Sequence, residues 1–220
     1  MVATGEATDD GSARPLRADA ERNRRHILDV AAEVFAERGL AATLNDVAHR
    51  AGIGVGTVYR RFPDKDALVE ALWERKFVVL LEVAEHAAAS PTGADAVRSF
   101  VCAAAEARAR DRGLVEVLAR APSDRTARQR ARLHAMVDEM VVRAQREGAI
   151  RPDVVAADVP LLVVMVAAVA DCARDVAPDL WRRYTELLLD GLRPGPGTTE
   201  LSGPPLEPGE LGSVLQRRPA

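Results

Sequence analysis

The sequence predicts an all-α fold with a helix-turn-helix near its N-terminus, and three observations carry that reading. Apolar residues make up 48% of the 220-residue chain but aromatics only 4%. Alanine, leucine and valine dominate, a helical composition rather than that of an aromatic-rich pleated surface. Apolar residues recur at three- and four-residue spacing through most of the chain, and no segment sustains the alternation of a half-buried strand, so no sheet is expected.

Residues 1–17 are small and polar and end in Arg14, Pro15 and Arg17. A disordered arm is expected there. The first helix is expected from Asp19 to Gly39, with Ile27, Leu28, Ala31, Val34 and Phe35 as its buried stripe. Thr43 then opens a short helix. Asp46 completes the T-x-x-D form of a capping box, Val47 and Ala48 supply a small apolar face, and Gly52 ends the helix. A second short helix runs from Gly54 to Phe62, where Pro63 stops it. Val58 and Phe62 lie four apart and share the face to be buried, whereas Thr57, Arg60 and Arg61 lie off it with Tyr59 beside them. Two short helices around a glycine turn form a helix-turn-helix, whose second helix enters the DNA major groove. The outward groups are therefore candidate DNA readers. The competing reading for Arg60 and Arg61 is that they only solvate a helix end.

After this motif Asp66 is expected to cap a long helix reaching Ala89, with Leu68, Leu72, Trp73, Phe77, Leu80, Leu81 and Ala84 as apolar positions. Ser90-Pro91-Thr92-Gly93 breaks it. Further helices are expected over 94–110, 114–121, 124–147, 156–175 and 178–192. The last two are apolar around much of their circumference, through Leu161, Leu162, Val164, Met165, Ala168, Val169 and Cys172 and then Leu180, Trp181, Tyr184, Leu187, Leu188 and Leu192. Such helices must be covered from several directions. From Arg193 onward six prolines and five glycines fall within 28 residues, and a disordered tail is expected over 193–220.

The net charge of −3 hides an uneven distribution. Residues 14–65 hold ten Arg/Lys against seven Asp/Glu, so the positive excess sits on the helix-turn-helix segment, where phosphate contacts need it. Cys102 and Cys172 lie in apolar contexts with no C-x-x-C spacing and are expected to be reduced, buried thiols. The four histidines do not cluster as metal ligands. A catalytic Gly-x-Ser-x-Gly, a phosphate loop and metal-ligand spacing are all missing, so neither enzyme, metal nor cofactor is expected. The polar, acidic N-terminus has no signal-peptide pattern, and the apolar run Val159–Ala170 is too short to span a membrane. A cytoplasmic protein is expected.

The segment Asn23 to Leu72 resembles the DNA-binding head of the tetracycline-repressor (TetR) family of bacterial regulators. Its matching pieces are Ile27 to Ala31, Phe35 to Gly39, Thr43 with Asp46-Val47-Ala48, Ala51-Gly52-Ile53, Gly56-Thr57-Val58-Tyr59, Phe62, Lys65 and Leu68. The family usually has serine where Gly54 stands and often histidine where Arg61 stands. The resemblance implies an N-terminal three-helix DNA-binding head over 18–65 and a C-terminal helical ligand-binding and dimerisation domain over 66–192.

For the head, the resemblance implies phosphate contacts by Tyr59 and Lys65, with Thr43 adding a helix N-terminus and a hydroxyl. Base reading falls to Val55, Thr57 and Arg60, with Gly54 and Gly56 letting the backbone approach and Arg61 at the helix end. The middle helices would enclose an effector pocket, with Trp73, Phe77, Phe100, Leu114, Leu118, His134, Val137 and Met140 as candidate lining residues; for each, ordinary core packing is the competing reading. Few polar groups project there, so a small hydrophobic effector is expected. The last two helices would pack with their symmetry mates in a homodimer through Leu161, Met165, Val169, Cys172, Trp181, Tyr184 and Leu188. The partners implied are double-stranded operator DNA, a second copy of the chain and the effector, with no membrane partner. A ligand-independent DNA binder, and a helical interaction module that has lost DNA binding, are the alternatives.

Overall fold

The structure, a computed structural model, describes residues 13–110 and 124–207 together with 210, 211 and 214. Every regular element among the described residues is helical. The chain divides into two compact units between Leu68 and Val69, each considered by itself below.

The first unit contains α1 (Ala13–Arg38), α2 (Leu44–Ala51), α3 (Val55–Arg61) and the opening turn of α4 (Lys65–Ala88). Helix α1 begins ahead of the expected Asp19. Its Ile27, Leu28, Ala31, Val34 and Phe35 are buried, together with Leu44, Val47 and Ala48 of α2 and with Val58 and Phe62. Thr43 caps α2 as its sequence requires: the Asp46 amide donates to Thr43 Oγ1 at 3.2 Å, and the Thr43 amide donates to Asp46 Oδ2 at 2.8 Å. The Thr43 hydroxyl, which donates to the same Asp46 oxygen, and then the Thr43 amide hold the Asp46 carboxyl below its ordinary pKa. Gly52 ends α2 in the left-handed region at φ 64°, where a side chain would be strained. The cap of α4 differs from expectation. Asp64 rather than Asp66 accepts from the Ala67 amide, at 2.7 Å, because the helix starts at Lys65 and leaves Asp66 inside its first turn.

The second unit contains the rest of α4, then α5 (Gly93–Arg110), α6 (Asp124–Arg146), α7 (Asp158–Ala173) and α8 (Leu180–Gly191). The helix expected over 114–121 lies outside the described residues. Helix α5 packs against α6, α7 and α8, and α7 packs against α8. Ala105, Val166, Ala170 and Trp181 form a buried cluster, with Val169 and Leu188 packed against it. A second T-x-x-D cap starts α5: the Asp95 amide donates to Thr92 Oγ1 at 3.0 Å. The Gly93 amide donates to Glu147 Oε2 at 2.7 Å, which brings the start of α5 against the end of α6.

That approach has room only for glycine. A Cβ on Gly93 would lie 2.3 Å from the Ala144 nitrogen and 2.6 Å from its Cα. Backbone atoms cannot swing aside as a flexible side chain does, so a methyl must push α5 and α6 apart. Gly93→Ala is expected to destabilise the protein by about 2 kcal/mol, read as a lower thermal unfolding midpoint with unchanged helical circular dichroism at low temperature.

Residues 193–207, expected to be disordered, are instead tied to the turn between α6 and α7. The Arg151 guanidinium grips Asp153 at 2.6 and 2.7 Å and also donates to the Thr199 carbonyl. Asp153 Oδ2 accepts from the Leu201 amide at 2.9 Å. The Arg151 side chain, followed by the Leu201 amide, depresses the Asp153 carboxyl far below the usual carboxylate range. Composition alone could not reveal this ionic clip.

Candidate nucleic-acid interface

Helix α3 is anchored by its apolar side and by its neighbours. Val58 and Phe62 are buried, and Arg24 Cζ lies 5.8 Å from the centroid of the Phe62 ring. The turn before α3 is held by the Ile53 amide donating to the Ala48 carbonyl at 3.1 Å and by His26 Nε2 donating to the Ala51 carbonyl at 3.2 Å. At Gly54 the backbone carbonyl receives the amides of Thr57 and Val58 at 2.8 and 3.3 Å, and no side-chain cap is present. A short helix fixed in this way has one face committed to the unit's core and the other open.

The open face carries most of the predicted readers. Gly54, Val55, Gly56, Tyr59 and Arg60 are exposed, with Thr57 half-buried. Arg60 Nη2 donates to Thr57 Oγ1 at 3.1 Å, so the hydroxyl one turn back orients the guanidinium. Lys65 is half-buried at the start of α4, with Nζ 5.8 Å from the centroid of the Phe35 ring.

Two predicted contact groups are occupied within the protein. The Thr43 hydroxyl donates to Asp46 Oδ2 at 2.6 Å while accepting the Asp46 amide, so its proton is used by the capping box and only its second lone pair is left. The expected hydroxyl contact to phosphate is corrected accordingly. Arg61 turns back to α1, donating to the Ala20 carbonyl at 3.4 Å and lying 3.7 Å from Glu21 Oε2. Its first role is to brace α3 against α1, a tertiary contact that helical spacing cannot reveal.

Sequence reasoning missed the groups beside α3. A hollow of about 440 Å³ is lined by Val34, Arg38, Asn45, Asp46, His49, Arg50 and Val55. Arg38 Nη1 donates to Asp46 Oδ1 at 2.8 Å, and Arg50 grips Glu37 at 3.1 and 2.6 Å. The Arg50 hydrogen bond is the main cause of a lowered Glu37 pKa, and Glu37 in turn raises that of Arg50. Asn45 and His49 lie four apart on α2 and are exposed; that spacing was the available signal.

In the second unit, Trp73, Phe77, Phe100, Val137 and Met140 are all buried and His134 is half-buried. Leu114 and Leu118 lie outside the described residues. Trp73 stacks on Phe77 with ring centroids 4.2 Å apart and planes 10° apart. A smaller hollow of about 90 Å³, between the start of α5 and the end of α8, is lined by none of the predicted pocket residues.

The predicted association residues divide into two groups. On α7, Leu161, Met165, Ala168 and Cys172 follow i, i+4, i+7, i+11 spacing and lie opposite the buried Val159, Val163, Val166 and Ala170; Met165 is 48% exposed. On α8 the exposed stripe is Leu180, Tyr184, Leu187 and Gly191, with Leu187 54% exposed. Trp181 is 5% exposed and belongs to the chain's own core with α5 and α7. It is therefore corrected from an interface residue to an internal one: it lies one position along α8 from the exposed stripe, a rotation of about 100°. Val169 and Leu188 also pack against that core. Cys172 is exposed rather than buried, and Cys102 is half-buried with its thiol pKa raised by burial.

A capped short helix, a left-handed glycine turn and a second helix with one open polar face define a helix-turn-helix DNA-binding protein. Residues 27–72 match the N-terminal model of bacterial regulatory proteins of the tetR family, and residues 92–194 match an SbtR-like transcriptional regulator C-terminal domain. A solved TetR transcription regulatory protein of Mycobacterium vanbaalenii is 35% identical, with 81% of this chain and 99% of that one covered at a TM-score of 0.55. A TetR transcriptional regulator of Streptomyces coelicolor is 29% identical, covering 78% and 98% at a TM-score of 0.55. Among curated proteins, the regulator AcrR of Shigella flexneri is 40% identical over 63 residues, and the match spans 28% of this chain and 29% of AcrR. This chain belongs to the TetR family of transcriptional regulators. Among its described residues no helix is long and apolar enough to cross a membrane.

Proposed function

We infer that the protein is a ligand-responsive repressor that binds a palindromic operator as a homodimer. The observation that carries this reading is the open face of α3, where Val55, Tyr59 and Arg60 are exposed while Val58 and Phe62 are buried. The head extends over 18–65, and 66–192 forms the effector and dimerisation domain. Arg60 pairs with a guanine edge, the Val55 and Thr57 methyls meet thymine, and Tyr59 and Lys65 hold phosphates on either side. The exposed stripes of α7 and α8 pack against a second copy. A two-fold dimer reads two half-sites one or more helical turns apart. An effector in the second domain weakens operator binding to the extent that it prefers the conformation that releases DNA. The expected effector is small and hydrophobic, and the protein acts in the cytoplasm.

Fluorescence anisotropy of the purified protein on DNA flanking its own gene, across a salt series, tests this reading. Nanomolar, sequence-selective binding that weakens steeply with salt supports the repressor. Weak binding to the flanking DNA and to genomic DNA from elsewhere, equal to that on unrelated DNA, would favour a helical interaction module.

The Thr57–Arg60 bond makes a finer prediction. Thr57→Val keeps the shape and methyl but removes the acceptor that orients Arg60. It is expected to relax the preference at a single base pair per half-site by about fivefold, the worth of one modest hydrogen bond of about 1 kcal/mol. Thr57→Ser retains the preference. Selection from a randomised operator, sequenced for each variant, reads the effect directly.

A further inference from the structure

Among the described residues, two of the buried polar atoms of the second unit that lack a hydrogen-bond partner lie on Trp73 and Gln129. Trp73 of α4 is fully buried, yet its Nε1 N–H meets no acceptor. Gln129 of α6 has a buried Oε1 that meets no donor. The adjacent Arg130 brings its guanidinium to 5.5 Å from the Trp73 ring centroid, so α6 reaches the indole through this side chain. Burial lowers the Arg130 pKa, as expected for a cation in a poorly solvated place.

Buried donors and acceptors are almost always paired, and an orphan calls for an explanation such as a water or a ligand. An indole N–H donates only, whereas a glutamine amide offers both a donor and an acceptor. The guanidinium adds positive potential beside the indole. The indole N–H and the guanidinium suit an oxygen acceptor, whereas the Gln129 oxygen calls for a donor of its own. The flanking stacked rings suit an apolar body.

We propose that the Trp73 N–H is the polar end of the effector site, and that the effector is an apolar molecule bearing a carbonyl or carboxylate oxygen, which this N–H receives. This rests on the ligand-responsive reading above and adds the chemistry of the ligand. Specificity arises because a hydrocarbon of the same shape leaves the indole donor unanswered, whereas the oxygenated molecule satisfies it.

The test uses the full-length protein and three probes of one shape: butyrophenone with a neutral carbonyl, 4-phenylbutyrate with a carboxylate, and butylbenzene with neither. Isothermal titration is expected to show butyrophenone, 4-phenylbutyrate or both binding about tenfold more tightly than butylbenzene, the equivalent of one well-made hydrogen bond. Which oxygenated probe binds better separates the carbonyl from the carboxylate source. Trp73→Phe keeps an aromatic filler without the N–H, and the tenfold preference should disappear in it. Should that variant fail to fold, ¹⁵N-indole spectra of the unaltered protein replace it: the better oxygenated probe should move one indole N–H signal downfield and butylbenzene should not. Equal affinities, a preference surviving in Trp73→Phe, an unmoved indole signal, or no binding by any probe would overturn the proposal. Operator anisotropy with the same probes keeps the two readings distinct. Trp73-dependent binding that leaves operator affinity unchanged supports the site and removes the ligand response. An operator complex in a protein that binds no probe overturns the site and leaves DNA binding standing.

Discussion

Replacing Tyr59 and Lys65 together with alanine is expected to lower operator affinity by more than a hundredfold while leaving the protein folded and its oligomeric state unchanged. Hydrogen bonds to charged groups contribute about 1.5–3 kcal/mol each, and a dimer loses four such contacts. Even if solvent recovers half of that energy at each phosphate, a loss of about 3 kcal/mol or more remains, which corresponds to the hundredfold figure. The two residues separate in a salt series. Lys65 carries charge, so its loss from both heads should flatten the slope of log affinity against log salt by about 2. Tyr59 is neutral and should lower affinity without changing that slope. Folding is the necessary control. Tyr59 is 44% exposed and its removal should leave stability nearly unchanged. Lys65 lies over the Phe35 ring, and losing that cation–π contact should cost about 0.5–1 kcal/mol. Anisotropy across salt, paired with thermal unfolding, checks both parts. A double variant that keeps full operator affinity would remove Tyr59 and Lys65 from the interface and favour the helical interaction module.

The features legible in the sequence were those determined by near neighbours in the chain. The capping box of Thr43 and Asp46, the turn at Gly52 and the stop at Phe62-Pro63 each depend on residues within four positions, and the structure places each as read. What escaped depends on distant partners. Arg61 was indistinguishable from Arg60 by spacing, yet it is drawn to Ala20 and Glu21 of α1. Trp181 lies on an apolar helix whose pattern could not separate core from interface, because both faces are hydrophobic. The clip between Arg151, Asp153 and Leu201 joins residues 48 positions apart. A glycine- and proline-rich composition records backbone freedom but not the charged pair that restrains it. At the proposed effector site the aromatic residues were legible as an apolar group. The orphaned Trp73 donor was not, since whether an indole finds an acceptor depends on how α4, α6 and their neighbours pack.

Met165→Arg combined with Leu187→Arg is expected to convert the proposed dimer into a folded monomer. The protomer should tolerate both changes, because Met165 and Leu187 are 48% and 54% exposed and exposed substitutions typically alter stability by no more than about 0.5 kcal/mol. The assembly should not. In the proposed dimer each stripe meets a symmetry-related surface in a two-fold interface, so four new guanidinium groups would enter a desolvated apolar layer near one another. Neither the burial nor the repulsion has a compensating carboxylate within the stripes, which consist of Leu161, Met165, Ala168 and Cys172 and of Leu180, Tyr184, Leu187 and Gly191. Operator affinity should fall as a consequence, without any change to α3. Joining two heads makes the second half-site encounter intramolecular, an advantage of about 10²–10⁴. The monomer should therefore bind a full operator no better than a half-site, with the same base preferences as the parent. Light scattering coupled to size exclusion gives the mass, and anisotropy on full and half operators gives the affinity ratio. A variant that remains dimeric would place the association surface elsewhere on the protein. A monomer that keeps full-operator affinity would instead show that one head suffices, and that the exposed stripes of α7 and α8 serve a purpose other than pairing the heads.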